Sequence, residues 1–193
     1  MKIAIAGYGV VGRGTHELLL MNRDKIAARA GEEIEVKYVL DPKPLEGTPA
    51  EQLKASGIEE ILADPEVKLL VEAIGGVGPA YEYVKAALES GRSVVTPNKQ
   101  LVAEKGAELL AIAREKNAGF LFEASVAGGT PVLHPISQCL WANDLDLAAG
   151  ILNGTTNYIL TKMVQEGAGF EETLREAQRL GYAEADPNAD IEG

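Results

Sequence analysis

The sequence predicts an α/β protein built on a parallel, doubly wound sheet and followed by an incomplete α+β region. Two observations support this prediction. Through about residue 130, short segments rich in β-branched residues alternate with helix-like segments, an order that winds helices onto both faces of a parallel sheet. Beyond that point the alternation gives way to mainly helical patterns. We therefore expect one domain at 1–130 and the beginning of a second at 131–193.

The strands predicted for the first domain are short and end on turn-forming residues. They are 2–6, 35–40, 68–73, 93–96 and 119–124. The near-continuous apolar run at 68–73 is typical of a strand that is buried on both faces. Helices are predicted from the apolar pattern that starts at Val10, Val11 and Thr15, then over 79–90 and 102–116. A loop with a short helix at 44–57 and an extra turn at 58–62 complete this part.

In the second domain we predict three helices and one strand. The helices cover 130–141, 155–166 and 170–180, and the strand covers 146–152. Asn153 or Thr155 would cap the second helix, and Gly181 would end the third. The chain has one cysteine, Cys139, which excludes an internal disulfide and which we expect to be a packed core residue.

Charge and composition exclude several classes of partner. The formal net charge is -11, from 29 acidic and 18 basic residues without a basic cluster, which argues against nucleic acid. The apolar N-terminal run is too short for a signal peptide, and no stretch approaches the roughly 20 apolar residues of a membrane span, so we expect a cytoplasmic protein. The two histidines, His16 and His134, exclude a histidine-rich metal site and are expected to be structural.

The first turn carries a dinucleotide-binding pattern. Gly7-Tyr8-Gly9-Val10-Val11-Gly12 fits G-x-G-x-x-G between a strand and a helix. The first glycine allows a tight turn, the second allows the backbone to approach a pyrophosphate, and the third allows close packing of helix and strand. The amides and the dipole of the helix N-terminus then favour the anion. The fold is accordingly expected to be of the Rossmann type, although a glycine turn can also be purely structural.

Asp41, at the end of the second predicted strand, bears on the choice of cofactor. Its carboxylate would accept hydrogen bonds from the adenosine ribose and would repel a 2′-phosphate, which favours NAD. Lys43 could instead bind the 2′-phosphate of NADP, and Asp41 could cap a turn with Pro42. The sequence favours NAD over NADP and leaves both open.

Two later loops also follow parallel strands. Gly75-Gly76 comes after the buried strand, and Thr96-Pro97-Asn98-Lys99 comes after the next one. Ligands of open α/β sheets bind along this edge, so we expect both loops to flank the nicotinamide ribose. Ordinary loop chemistry with a solvated Lys99 is the alternative.

The later motifs resemble the homoserine dehydrogenase family. The resemblance extends over essentially the whole chain and rests on the segments 96–99, 123–131, 150–160, 177–182 and 183–187 leading to Asp190, together with the N-terminal glycines. It implies NAD(P)-dependent interconversion of L-homoserine and L-aspartate 4-semialdehyde, in threonine, methionine and isoleucine biosynthesis, by an enzyme that is a homodimer at full length.

The resemblance also implies roles for single residues. Lys99 would contact the cofactor near the reacting centre, Gly181 would touch the cofactor, and Glu184 and Asp190 would serve the substrate. A sodium or similar cation would be held by Glu123, Val126, Gly128 and Thr130. Oxygen ligands suit such a cation, but Glu123 could also simply cap its turn.

In the family, the proton donor is a lysine four residues after an aspartate, shortly beyond the segment that ends here at Gly193. We therefore expect this chain to bind cofactor and to be impaired in catalysis. The alternatives are a non-catalytic nicotinamide-nucleotide-binding module and a related oxidoreductase for another small carbonyl compound.

Overall fold

The chain forms two compact units. The computed structural model describes residues 1–151, 153–183 and 187, with the first unit spanning 1–128 and the second 129–193. The first unit is a five-stranded parallel sheet with helices on both faces. The described residues of the second unit contain helices and no strand.

The sheet confirms the doubly wound topology. Its strands are β1 (Lys2–Ala6), β2 (Glu35–Leu40), β3 (Val67–Glu72), β4 (Ser93–Val95) and β5 (Phe120–Leu121). They lie in the order β2-β1-β3-β4-β5, and every neighbouring pair is parallel. The chain winds first to one side of β1 and then to the other, so the strand order reverses between β1 and β3.

The helices of the first unit connect these strands. They are α1 (Val10–Met21), α2 (Arg23–Ala30), α3 (Ile58–Ala63), α4 (Gly78–Glu89) and α5 (Lys99–Glu115), with short 3₁₀ turns at Glu51–Leu53 and Glu123–Ser125. Helix α2 was not predicted from the sequence, and only a turn was predicted where α3 lies. Helix α5 begins earlier than predicted because the side chain of Asn98 caps it, accepting the Leu101 amide at 3.0 Å.

The core has one layer on each face of the sheet, and β1 contributes to both. Ala4 and Ala6 pack in the cluster formed by α3, α4 and α5, whereas Ile3 and Ile5 pack on the opposite face. All four side chains are buried. Burial on both faces explains why this strand is apolar from Ile3 to Ala6.

Helix α1 uses a narrow face to pack on the sheet. Its buried residues are Gly12 and His16, while Val10, Val11 and Leu18 are exposed. The apolar pattern that predicted this helix therefore does not mark its buried face. Gly12 allows the helix to approach β1 closely, because a Cβ there would lie 1.9 Å from the Gly7 carbonyl oxygen and 3.2 Å from the Ile5 side chain.

The last strand is shorter than predicted. Residues 119–124 were expected to be extended, but β5 holds only Phe120–Leu121 and the chain then enters the 3₁₀ turn at Glu123. Its partner β4 ends at Val95, two residues before Pro97. A strand without a partner ladder cannot continue, and the neighbour therefore limits β5.

The described core of the second unit is a pair of helices, α6 (Gly154–Glu166) and α7 (Phe170–Leu180). Asn153 caps α6 by accepting the Thr156 amide at 2.9 Å, and Gly181 ends α7 in the left-handed conformation, as predicted. The Thr155 hydroxyl donates to the Tyr182 carbonyl at 2.6 Å and fastens the two helices together. Within the described residues, no helix is long and apolar enough to cross a bilayer.

Two further predictions for this unit are wrong. The predicted strand at 146–152 has no ladder in its described residues, because the described part of the unit offers no strand to pair with, and Leu152 lies outside the described residues. The predicted helix at 130–141 is present but shorter: residues 133–134 are helical and continue into a π-helical turn at Pro135–Cys139, where the Leu140 amide donates to the Pro135 carbonyl at 3.0 Å. Cys139 is exposed there and is not a core residue.

Gly12→Ala will destabilise the first unit strongly. A Cβ at this position would lie 1.9 Å from the Gly7 carbonyl oxygen, a backbone atom that cannot move away cheaply. We expect a loss of about 3 kcal/mol in the free energy of unfolding, measured by urea denaturation. Gly14→Ala is the matched control, because a Cβ there meets nothing within 4 Å and alanine raises helix stability by up to about 1 kcal/mol. Equal effects of the two changes would contradict this packing.

Candidate functional site

The candidate site lies in the first unit, where β1 and β3 end side by side. Ala6 pairs with Glu72 at the carboxyl ends of these strands, and the strand order reverses between them. Such a switch point opens a crevice between loops that leave in opposite directions. The glycine-rich turn after β1 and the Gly75-Gly76 loop after β3 form its two sides.

The three glycines of the first turn each have a distinct environment. Gly7 has a φ of +93°, and a Cβ there would lie 2.4 Å from the Ala73 carbonyl oxygen. Gly12 is equally tight against Gly7, whereas a Cβ on Gly9 would meet nothing within 4 Å. Gly7 and Gly12 thus allow the backbone to pack, and Gly9 leaves open space above it, as the sequence predicted.

Open space at Gly9 adjoins the N-terminus of α1. Gly9 is the N-cap residue, it provides no side chain to cap the helix, and its carbonyl accepts the first helical bond from Arg13 at 2.9 Å. The amides of a first helical turn have no acceptor within the helix. Together with the helix dipole, they can bind an anion such as a pyrophosphate.

Tyr8 holds the glycine-rich turn in place through its backbone amide and its side chain. Its amide donates to the Asp41 carboxylate at 2.6 Å, and its buried ring places the hydroxyl 2.8 Å from Nδ1 of His16. Burial raises the pKa of the Tyr8 hydroxyl and lowers the pKa of His16, because each charged form would lose hydration. Both side chains are held neutral, and His16 packs as a structural residue; its contact with Tyr8 was not predicted.

The Asp41 carboxylate binds two backbone amides. Oδ2 accepts from Tyr8, and Oδ1 accepts from Lys43 at 2.8 Å, which is the turn-capping role considered as an alternative. Each oxygen has a second lone pair, so capping does not prevent the carboxylate from accepting a ribose hydroxyl. Lys43 is exposed, and its carbonyl accepts from the Lys54 ammonium at 2.9 Å, which brings a second cation to this turn.

A buried polar network joins the loops that follow β3 and β4. The fully buried Glu72 accepts the Ile74 amide at 2.7 Å through Oε1 and the Thr96 hydroxyl at 2.5 Å through Oε2. Thr96 in turn accepts the Asn98 amide at 3.0 Å, and the Asn98 side chain donates to the Gly76 carbonyl at 2.6 Å. The two loops are thereby fixed to one another.

This network changes the expected role of Thr96. Its side chain is 1% exposed and both donates and accepts within the network, so Thr96 acts by placing the loop. Lys99 is exposed and is the first residue of α5. Gly75 and Gly76 have φ values of +82° and +67°, which a residue with a side chain rarely adopts.

Glu72 is the site residue that sequence reasoning missed. It lies within the apolar run that predicted a strand at 68–73, and no separate role was predicted for it. The available signal was an acid near the end of a strand that was otherwise predicted to be buried on both faces. Such an acid requires buried donors, and the loops at the carboxyl edge are the elements near enough to supply them.

The bend at 123–128 contains three of the four residues expected to hold a cation. Val126 donates its amide to the Glu123 carbonyl at 3.2 Å, and Ala127 and Gly128 both have left-handed φ values of +58° and +57°. Two consecutive left-handed residues turn successive carbonyls toward one side of the bend. Over the described ranges, no group of three or more His, Cys, Asp or Glu residues could hold a metal.

The remaining predicted residues belong to the second unit. Gly181 ends α7 and is exposed, and Thr130 is exposed in the segment before the π-helical turn. Glu184 and Asp190, the residues expected to serve the substrate, lie outside the described residues.

Comparisons with known proteins give a consistent family. A family model described as "Homoserine dehydrogenase, NAD binding domain" matches residues 7–123, and one described as "Homoserine dehydrogenase" matches 131–193. A homoserine dehydrogenase of Pseudomonas aeruginosa is 47% identical over the whole chain. The chain spans 45% of that protein, and thus about half the length of the curated relatives it matches.

Solved structures agree with the sequence relatives. A homoserine dehydrogenase from Thiobacillus denitrificans has a TM-score of 0.88 at 43% identity, covering 99% of this chain and 45% of that one. A hyperthermophilic archaeal homoserine dehydrogenase in complex with NADPH has a TM-score of 0.80 at 29% identity, covering 99% of this chain and 65% of that one.

Acid will weaken the first unit partly through His16. Burial lowers the pKa of His16 in the folded state, so below its usual value of 6.5 the unfolded chain binds the proton more readily. Stability is therefore complete above that pH and falls as the pH drops toward the folded pKa, by at most about 1.4 kcal/mol per pH unit.

His16→Asn is the informative variant, because an amide can still bond to the Tyr8 hydroxyl but does not titrate. We expect its unfolding free energy, measured in urea between pH 7.5 and 5.5, to fall less steeply than that of the unaltered protein. Carboxylates contribute equally to both slopes. Identical slopes would show that His16 does not titrate as the burial implies.

Proposed function

This chain belongs to the homoserine dehydrogenase family, and on that premise we propose that it contributes the nicotinamide-cofactor site and part of the substrate site of an enzyme interconverting L-homoserine and L-aspartate 4-semialdehyde. Residues 1–130 would form the NAD(P)-binding domain and 131–193 the beginning of the substrate domain. The observation that carries the proposal is the open N-terminus of α1 above Gly9, at the switch point of the sheet.

The first unit supplies separate contacts for the parts of the cofactor. The turn from Gly7 to Gly12, with Tyr8, Val10 and Val11 between the glycines, would hold the pyrophosphate against the amides of α1. Asp41 would bind the adenosine ribose, with Lys43 and Lys54 close by. Gly75 and the Thr96–Lys99 loop would flank the nicotinamide ribose, since both follow strands that end at the same edge.

Lys99 would be the cationic group at the reacting centre. When bound, the cofactor accepts or supplies the hydride. Reduction of an aldehyde builds negative charge on the carbonyl oxygen, and a fixed ammonium nearby stabilises that charge. The cation lies at the N-terminus of α5, whose dipole adds to the positive potential. Glu184, with Asp190 nearby, would bind the substrate ammonium.

A sodium or similar cation would be structural in this proposal. The bend at 123–128 supports it through the Glu123 carboxylate and the carbonyl groups of Val126 and Gly128, to which Thr130 would add a further oxygen. Hard cations prefer such oxygen ligands, and the left-handed conformations of Ala127 and Gly128 direct neighbouring carbonyls together.

The proposed function predicts both cofactor binding and turnover. NAD or NADP at a hundred times its Kd should stabilise the folded chain by about 2.7 kcal/mol, seen as a rise in melting temperature. On the protein in its full encoded length, homoserine oxidation followed by NAD(P)H absorbance should be measurable. Lys99→Gln should lower kcat/KM by roughly 10² or more, because charge stabilisation at the oxyanion is lost.

Lys105→Gln is the matched control for Lys99, since Lys105 lies on the same helix with its ammonium 5.1 Å from the Tyr81 ring centre. It should leave kcat/KM unchanged. Cofactor binding without any homoserine turnover by the full-length protein would favour a nucleotide-binding module, and no protection by either cofactor would refute the proposal.

Asp41 sets the preference between the two cofactors. Asp41→Asn removes the charge that repels a 2′-phosphate and weakens the acceptor for the ribose, so the NAD to NADP affinity ratio should fall by about tenfold. Lys43→Gln should raise this ratio, because it should lower the affinity for NADP alone. Fluorescence titration with NADH and NADPH measures both ratios, and a ratio unaffected by Asp41→Asn would exclude this residue from the ribose site.

A further inference from the structure

Glu72 is a carboxylate in an unusual place. It is 0% exposed and lies at the last position of β3, paired with Ala6 where the strand order reverses. An ionised group at such depth requires hydrogen-bond donors to offset its lost hydration. Its donors come from the two loops that follow β3 and β4, and not from the strands themselves.

Each hydrogen bond around Glu72 has a defined donor and a defined acceptor. Oε1 of Glu72 accepts two amides of its own loop, from Ile74 at 2.7 Å and Gly75 at 3.3 Å. Oε2 accepts the hydroxyl of Thr96 at 2.5 Å, and that hydroxyl oxygen accepts the Asn98 amide at 3.0 Å. A carboxylate accepts at both oxygens, which neither an amide nor a protonated acid can do.

The network closes on itself through Asn98. Its side-chain nitrogen donates to the Gly76 carbonyl at 2.6 Å, and its side-chain oxygen accepts the Leu101 amide at 3.0 Å. The ladder between β3 and β4 ends at the Val71–Val95 pair. Past that pair, the side chains of Glu72, Thr96 and Asn98 hold the two loops together in place of strand hydrogen bonds.

We infer that Glu72 is a positioning residue for the nicotinamide half of the cofactor. The inference rests on the proposed function, because these loops face the cofactor only if it binds at this edge. The pyrophosphate side of the site depends instead on Gly7, Gly9 and Gly12. The hydrogen bonds of Glu72 go to other residues. Loss of the carboxylate should therefore weaken one half of the site selectively.

Glu72→Gln tests this with little change in size. If the amide nitrogen of the glutamine faces Thr96, the Thr96 hydroxyl loses its acceptor. In the opposite orientation, that nitrogen faces the Ile74 and Gly75 amides, so that donor meets donor. We expect NADH affinity to fall roughly tenfold, as for one lost buried hydrogen bond. Affinity for ADP, which lacks the nicotinamide half, should stay within about twofold, since its contacts are unchanged.

Thr96→Val and Thr96→Ser form a second, independent pair. Valine removes the hydroxyl at similar volume, and serine retains it. Thr96→Val should lower the affinity for NADH relative to that for ADP by about as much as Glu72→Gln does. Thr96→Ser should retain most of the NADH affinity. Glu82→Gln, at an exposed position of α4, is the control for removal of an acid and should alter neither titration.

Each result decides the question. Selective loss of NADH binding in Glu72→Gln and Thr96→Val, recovered in Thr96→Ser, supports positioning. Equal loss of NADH and ADP, or no loss of either, overturns it in favour of a purely structural role. If Glu72→Gln does not melt cooperatively, the Thr96 pair decides alone. If the unaltered chain binds neither NADH nor ADP, the proposed function fails, and the inference fails with it.

Discussion

The close contact between Gly7 and Gly12 is the constraint on which the rest of the structure depends. With no Cβ on either residue, α1 can start directly above the end of β1, and the turn can pass beside the Ala73 carbonyl at the end of β3. That approach places the open N-terminus of α1 at the point where the sheet reverses its winding. Any side chain at Gly7 or Gly12 would displace both the helix and the neighbouring strand end. Packing of the fold and exposure of the anion-binding amides therefore have the same cause.

Buried polar side chains stabilise the loops around that point. Tyr8 is held by Asp41 through its backbone and by His16 through its hydroxyl, so the glycine-rich turn is fixed on two sides. Glu72 and Thr96 perform the corresponding task for the two loops on the other side of the crevice. Burial of such groups has an energetic cost, and the protein offsets it with complete hydrogen bonding. These hydrogen bonds order the glycine-rich turn and the two loops before a ligand binds, and such preorganisation reduces the entropy lost on binding.

Membership of the homoserine dehydrogenase family gives this arrangement a chemical context. The chain spans 45% of the length of a homoserine dehydrogenase relative and 45% of a solved structure of that family. In the proposal, the elements assigned to the cofactor site lie mainly in the first unit, whereas Glu184 and Asp190, assigned to the substrate, belong to the second. In the proposed division of labour, strand ends and helix N-termini bind the cofactor, and the later loops select the small amino-acid aldehyde.

Much of this protein could be read from the sequence, because local patterns carry the relevant physics. The glycine-rich turn after β1, the strand that occupies Val67–Glu72, the start of a helix capped at Asn153 or Thr155 and the stop at Gly181 each depend on a few neighbouring residues, and each was predicted. What the sequence could not supply depended on partners distant in the chain. The strand predicted at 146–152 has no partner strand among the described residues of its unit, β5 is limited by the short β4, and Cys139 is exposed in spite of its apolar neighbours. The role of Glu72 likewise required the fold, since its Oε2 atom accepts the hydroxyl of Thr96, which is 24 residues away in the sequence. Propensity and turn chemistry are local, whereas ladders, burial and hydrogen-bond networks exist only once the strands are side by side.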